Sequence, residues 1–163
     1  ARLTKEELDA EESERSIEIL SFTTNLEHVG DIVDKNLMEL AAKKAKLKIA
    51  FSEAGLNEIE AFHADVLNSM ELALNVFISG DVELARKLLA RKIEIREKER
   101  QSTEKHFARI SEGRAQSIDS SSLHLDVLRD LKRIHSHLTA VAYPILERAN
   151  ELEESRLKRP DAL

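Results

Sequence analysis

Glu27, Asp31 and Asp34, in the stretch NLEHVGDIVD, are spaced i, i+4 and i+7. On a helix that spacing stacks the carboxylates one above another near one face. Like charges so placed repel, and Gly30 among them costs about 1 kcal/mol relative to alanine in a helix. Acids one turn apart can converge on one hard or borderline cation, which would remove the repulsion and let a neighbour approach at Gly30. The other reading is a charged or hydrogen-bonded structural face. With 31 acids in 163 residues, chance alone supplies roughly six acidic pairs at i, i+4. Spacing by itself selects neither reading.

The remaining candidates for chemistry are weaker. Glu60–Ala61–Phe62–His63 is a lone ExxH, whereas di-iron bundles use two. His63 borders an apolar stripe and reads as a packed, hydrogen-bonded histidine. His124, His135 and His137 are close in sequence, but 135 and 137 point to different helix faces and do not chelate together. His28, beside Glu27, either joins the acidic face or covers the surface. The absence of cysteine removes disulfides, thiolate metal sites and thiol nucleophiles. No glycine-rich phosphate loop, GxSxG or HExxH occurs. The chain therefore reads as non-catalytic.

Composition says what must position these residues. Only four Gly and two Pro, with 4% aromatics, favour a few long helices over a sheet. A net charge of −6 argues against a nucleic-acid partner. No segment reaches the apolar run of about 18 residues needed to span a bilayer. The length suits one core, so residues 1–163 form a single expected domain.

Periodicity predicts helices over about 4–50, 52–79, 81–112 and 122–157. The first opens with a capping box, Thr4 to Glu7, and carries Ile17, Leu20, Phe22, Leu26, Val29, Val33, Leu37 and Leu40 as its apolar stripe. Its end, Lys43 to Lys48, complements the helix dipole or touches an anionic lipid or partner. In the second, Leu56, Ile59, Phe62, Val66, Met70 and Phe77 are expected inward. Gly80 and Asp81 mark a stop and a cap, and Gly113 ends the third helix. Residues 112–121 read as the longest loop. In the fourth helix Leu128, Leu131, Ile134, Leu138, Val141 and Ile145 face in, and Pro144 should kink it. Short connections imply antiparallel neighbours, hence an all-α bundle with one overhanging helix.

A self-similarity is visible within this frame. Asn25 onward aligns with Asp130 onward, matching Leu26 to Leu131, Val29 to Ile134, Val33 to Leu138 and Leu40 to Ile145. At these residues the chain resembles the PhoU-like family: NLEHVGD is similar to its DLERIGD signature. The stretches LSFTTNLEHVGDIVDKNLMELA, FSEAGLNEIEAFH and SSLHLDVLRDLKRIHSHLTAVAYPILE resemble the PhoU-like domain at the cytoplasmic C-terminus of bacterial sodium/phosphate cotransporters. The resemblance runs from about Leu20 to Leu157.

It implies a three-helix repeat preceded by the last helix of another, and a transmembrane transporter domain upstream in the same chain. An apolar face of the first helix is then expected to be bare. The implied function is regulation of phosphate transport without catalysis, at the cytoplasmic face of the inner membrane. A soluble phosphate-uptake regulator, a metal-binding bundle and a helical oligomerisation module are the alternatives, and homodimerisation stays open. The resemblance also implies iron, zinc or manganese on acidic motifs, here Glu27, Asp31 and Asp34. In the second repeat Lys132 and Ser136 replace the acids, and Lys92 and Arg96 occupy the third helix. These cations are expected to pair with acids such as Asp126 and Asp130 in place of a second metal cluster.

Overall fold

A computed structural model describes the backbone of residues 5–149, and the side chains within that span except those of 5–11 and 116. Helix α1 (Lys5–Asp31), a π-helical segment (Ile32–Leu37) and α2 (Met38–Leu47) run end to end as one rod, about 65 Å long at the helical rise. Then follow α3 (Glu53–Ser79), α4 (Val82–Ser111), the short α5 (Ala115–Asp119), α6 (Ser121–Thr139) and α7 (Ala142–Arg148). The Thr4 capping box and the expected helix beyond residue 149 lie outside the described residues.

Local chemistry accounts for most boundaries. The Ser52 hydroxyl accepts from the Gly55 amide at 3.2 Å and caps α3. Gly80, at φ +64°, ends α3 in the left-handed region, where its amide donates to the Val76 carbonyl at 2.9 Å. Asp81 Oδ1 then accepts from the Leu84 amide at 2.9 Å to start α4. So short a turn folds α3 and α4 into an antiparallel hairpin. Pro144 acts as expected, because it has no amide to bond back to Ala140. The helix breaks at Ala140–Val141, where the Ala140 and Tyr143 amides bond three residues back, each at 3.3 Å. The stretch expected as a loop instead contains α5, whose first turn is closed by bonds from the Ser117 and Ile118 amides to the Arg114 carbonyl.

The core lies among α3, α4 and α6–α7. Leu88, Leu128, Leu138, Leu146 and Val76 are fully covered, each worth about 1.5–3 kcal/mol of apolar transfer. Ala73, Ala85 and Ala142, all at 0% exposure, let the helix backbones approach closely. Of the expected inward residues of the fourth helix, Leu128, Leu131, Ile134, Leu138, Val141 and Ile145 are all buried.

The rod packs mainly along α6, and this narrows its buried stripe. Phe22 and Ile32 are buried, with Leu26, Val29 and Leu37 partly so. The Phe22 ring stacks on Phe77 at 4.3 Å. Ile17 and Leu20, expected inward, are 66% and 68% exposed, and Val33 is exposed as well. A helix with a neighbour on one side covers only that side, so the remaining apolar residues face water. Leu56 and Met70 of α3 are likewise exposed, contrary to expectation, because α3 meets α4 and α6 on its other flank.

Candidate functional site

Glu27, Asp31 and Asp34 all face solvent. Asp31 is the last residue of α1 and Asp34 lies inside the π-helical segment, whose i to i+5 bonding widens the turn. Asp31 is engaged by Lys35, whose ammonium lies 2.8 Å from its carboxylate. That hydrogen bond, then the Asp31 charge, holds Lys35 above the ordinary lysine pKa, with Asp34 and Glu27 adding smaller pulls. A side chain at Gly30 would meet nothing within 4 Å, so the glycine serves no close approach. Among the described residues no three His, Asp or Glu side chains are arranged to hold a metal ion. As placed, the three acids face water, Lys35 pairs with Asp31, and solvent screens the rest of their charge.

The same segment meets α6 through its other residues. Asn25 donates from Nδ2 to the Ser21 carbonyl at 2.8 Å and presents Oδ1 to His137 Nδ1 at 3.0 Å. His28 lies over His137, ring centres 5.0 Å apart. Burial, followed by the charge of His28, lowers the His137 pKa. His63, expected to be packed, is exposed.

The cations of the second repeat pair differently from expectation. Lys132 reaches Glu99 on α4 at 2.7 Å, and Lys92 donates to the Tyr143 hydroxyl at 2.9 Å. Asp130, 1% exposed, is held by Arg133 at 2.8 Å, and Asp126 by Arg129 at 3.0 Å. Those arginines stand three residues along the same helix and reach the acids first.

A second charged cluster lies inside the fold, and no single stretch of sequence announces it. Glu58 of α3 accepts both terminal nitrogens of Arg109 of α4, at 2.8 and 3.0 Å. His124 of α6 lies alongside, with Nε2 3.4 Å from Glu58 Oε2, an ion-pair distance not aligned as a hydrogen bond. His106 of α4 stacks on His124 with ring centres 4.5 Å apart, while its Nε2 meets Ser121 Oγ at 3.0 Å. Both His124 nitrogens and Arg109 Nε have no hydrogen-bond partner. Burial first, then the neighbouring His106 charge, pushes His124 down to about 4, and burial lowers His106 as well. Both imidazoles are therefore neutral at pH 7, and only the Arg109–Glu58 pair is charged. Gly55 permits the packing, since a Cβ there would sit 3.3 Å from the His124 ring. The sequence signal was available: His106 and Arg109 stand on the face of α4 that carries Leu88 and Ile95, polar residues at core positions. The cluster joins α3, α4 and α6 near their ends through one buried ion pair and two stacked imidazoles.

Comparison with known proteins places this geometry. The family described as "PhoU domain" matches residues 59–145. The chain is 42% identical, over 94% of its length, to a protein named "Putative inorganic phosphate export protein YjbB" from Salmonella typhimurium. Proteins of the same name from Escherichia coli K12 and Shigella flexneri are also 42% identical over 94% of the chain. The chain spans 28% of the length of these relatives. No solved structure matches it significantly.

Proposed function

The chain belongs to the PhoU domain family, and from that premise we propose that it is a non-catalytic regulatory domain of a sodium-dependent phosphate transporter. It would lie on the cytoplasmic face of a bacterial membrane, joined to a membrane-spanning transport region in the same polypeptide. The observation that carries this reading is the 42% identity extending over nearly the whole chain yet only 28% of a protein named for phosphate export. Among the described residues no helix is long and apolar enough to cross a membrane, so the crossing would belong to the other part.

The bundle suits regulation by docking. Ile17 and Leu20 leave an uncovered apolar face on the rod, while the core of α3, α4 and α6 is closed. Such a body works through surfaces and through the order of its helices. The test is phosphate flux in proteoliposomes containing the full-length gene product, with and without this domain. Removal should change how flux depends on phosphate concentration while transport itself persists. Identical flux curves would sink the reading, and a gene encoding no membrane segment would point to a freestanding regulator of a separate uptake system.

A further inference from the structure

A polar cavity of about 140 Å³ opens between α3 and α4, away from the acidic stripe and from the Arg109–Glu58 pair. That is roughly ten times the least volume that admits one water, enough for an ion of five heavy atoms. Asp65, Asn68 and Ser69 line it from α3 at i, i+3 and i+4, and Arg91, Glu94 and Lys98 from α4 at i, i+3 and i+7. Both sets therefore occupy single helix faces turned toward each other.

The state of each group is informative. Lys98 and Asp65 form an ion pair across the cavity. Arg91 is half-buried, and no carboxylate among the described residues pairs with it. Glu94, one turn further along, likewise has no ion-pair partner among them. A guanidinium partly withdrawn from water without an anion leaves donors available to a bound one. Behind the cavity, Ser69 Oγ donates to the Asp65 carbonyl at 2.8 Å and meets His135 Nε2 at 3.1 Å. With its one proton given to Asp65, the Ser69 hydroxyl must accept from His135, so the wall is internally satisfied and rigid.

We propose that this cavity binds inorganic phosphate, through the Arg91 guanidinium and Lys98 ammonium as donors and the Glu94 and Asp65 carboxylates as acceptors. The proposal rests on the phosphate-transport reading and deepens it by assigning the regulatory ligand. The carboxylates select the anion. Inorganic phosphate carries at least one proton at neutral pH and can donate it in a hydrogen bond to Glu94 or Asp65. Sulfate carries none, so the same carboxylates repel it. An all-cationic site would accept both anions; a mixed one discriminates by leaving the wrong anion facing an unpaired acceptor. A phosphate bridging Arg91 and Lys98 to Asn68 would tie α3 to α4.

The experiment is calorimetric titration of the 163-residue chain with sodium phosphate and with sodium sulfate at equal ionic strength and pH 7. Phosphate should bind at one site, and sulfate at least about tenfold more weakly. Arg91→Ala, which breaks no ion pair and should fold normally, should weaken phosphate by about tenfold or more. Glu94→Gln, nearly the same size, should narrow the preference for phosphate over sulfate. Three results would overturn the proposal: no phosphate binding at millimolar concentration, equal affinity for the two anions, or unchanged binding in Arg91→Ala. The flux experiment is independent of these. Phosphate binding without any effect of the domain on flux would remove the regulatory reading and leave the site standing. An effect on flux without binding would do the reverse.

Discussion

The acidic stripe of the rod and the Glu58–Arg109 cluster of the core gather charge in opposite ways. In the stripe, Glu27, Asp31 and Asp34 come from eight consecutive residues, face water, and share one lysine, Lys35, next to Asp34 and one helical turn from Asp31. In the core, Glu58, His106, Arg109 and His124 come from three helices and lie almost wholly out of water. Water screens the stripe, so its repulsion is small and its removal cheap. Screening is lost in the core, so each partner there depends on the others. Charges adjacent in sequence are conspicuous and energetically mild; charges adjacent only in space are inconspicuous and decide stability.

The sharpest way to break this contrast is to remove one core partner. Glu58→Ala leaves the Arg109 guanidinium buried without its carboxylate and should cost about 3–5 kcal/mol in urea denaturation. Replacing both, as Glu58→Leu with Arg109→Met, should recover most of that loss. If the single variant lost less than about 1 kcal/mol, the pair would be solvated and the contrast empty.

Acid should act on two buried imidazoles, His124 of this cluster and His135 behind the α3–α4 cavity. His124 and His135 are each held near pKa 4, against an ordinary value of 6.5, so the unfolded chain takes up their protons first as pH falls. Their contribution to stability is complete above pH 6.5 and is lost as pH drops toward 4. The shift corresponds to a loss on the order of 3 kcal/mol for a fully buried group. His124→Asn should flatten the curve of unfolding free energy against pH in that window. A slope unaltered by the substitution would mean that His124 reaches water in the folded state.

Smaller effects separate buried polar contacts from exposed ones. Ser69→Ala removes the acceptor of the buried His135 Nε2–H and should destabilise by about 1–3 kcal/mol. Asp31→Ala, by contrast, should change the thermal midpoint by no more than about 0.5 kcal/mol equivalent, because its pair with Lys35 is exposed. A loss near that of Ser69→Ala would show that the stripe bears structural weight which its exposure does not reveal.

Punctuation residues made the helices legible in sequence. Gly80 with Asp81, Gly113 and Pro144 each stop, cap or break a helix for a local reason, and each does so where read. Burial was less legible, since periodicity shows which residues share a face without showing whether a neighbour covers it. Ile17, Leu20, Leu56 and Met70 fit an apolar stripe and still face water. Residues 115–119 carry no hydrophobic period long enough to reveal a five-residue helix. The cavity and the core cluster were hidden for one further reason. Their members are ordinary one at a time, and only the folding of α3 against α4 puts Asp65 beside Lys98, or Glu58 beside Arg109.

The π-helical segment gives the rod a kind of gearing. A π turn takes up one residue more than the α-helical path needs, and the bonding on either side returns to the ordinary pattern. Deleting one residue between Ile32 and Leu37 would let the ladder close as a plain α-helix, with Phe22 still facing Phe77 and Ile17 and Leu20 still facing water. Deleting one from the α-helical stretch between Phe22 and Asp31, where no wide turn takes up the difference, would turn everything upstream by about 100° relative to α2. A single codon lost within the π-helical stretch thus leaves the presented side of the rod unchanged, whereas one lost just before it would change which side meets whatever docks there.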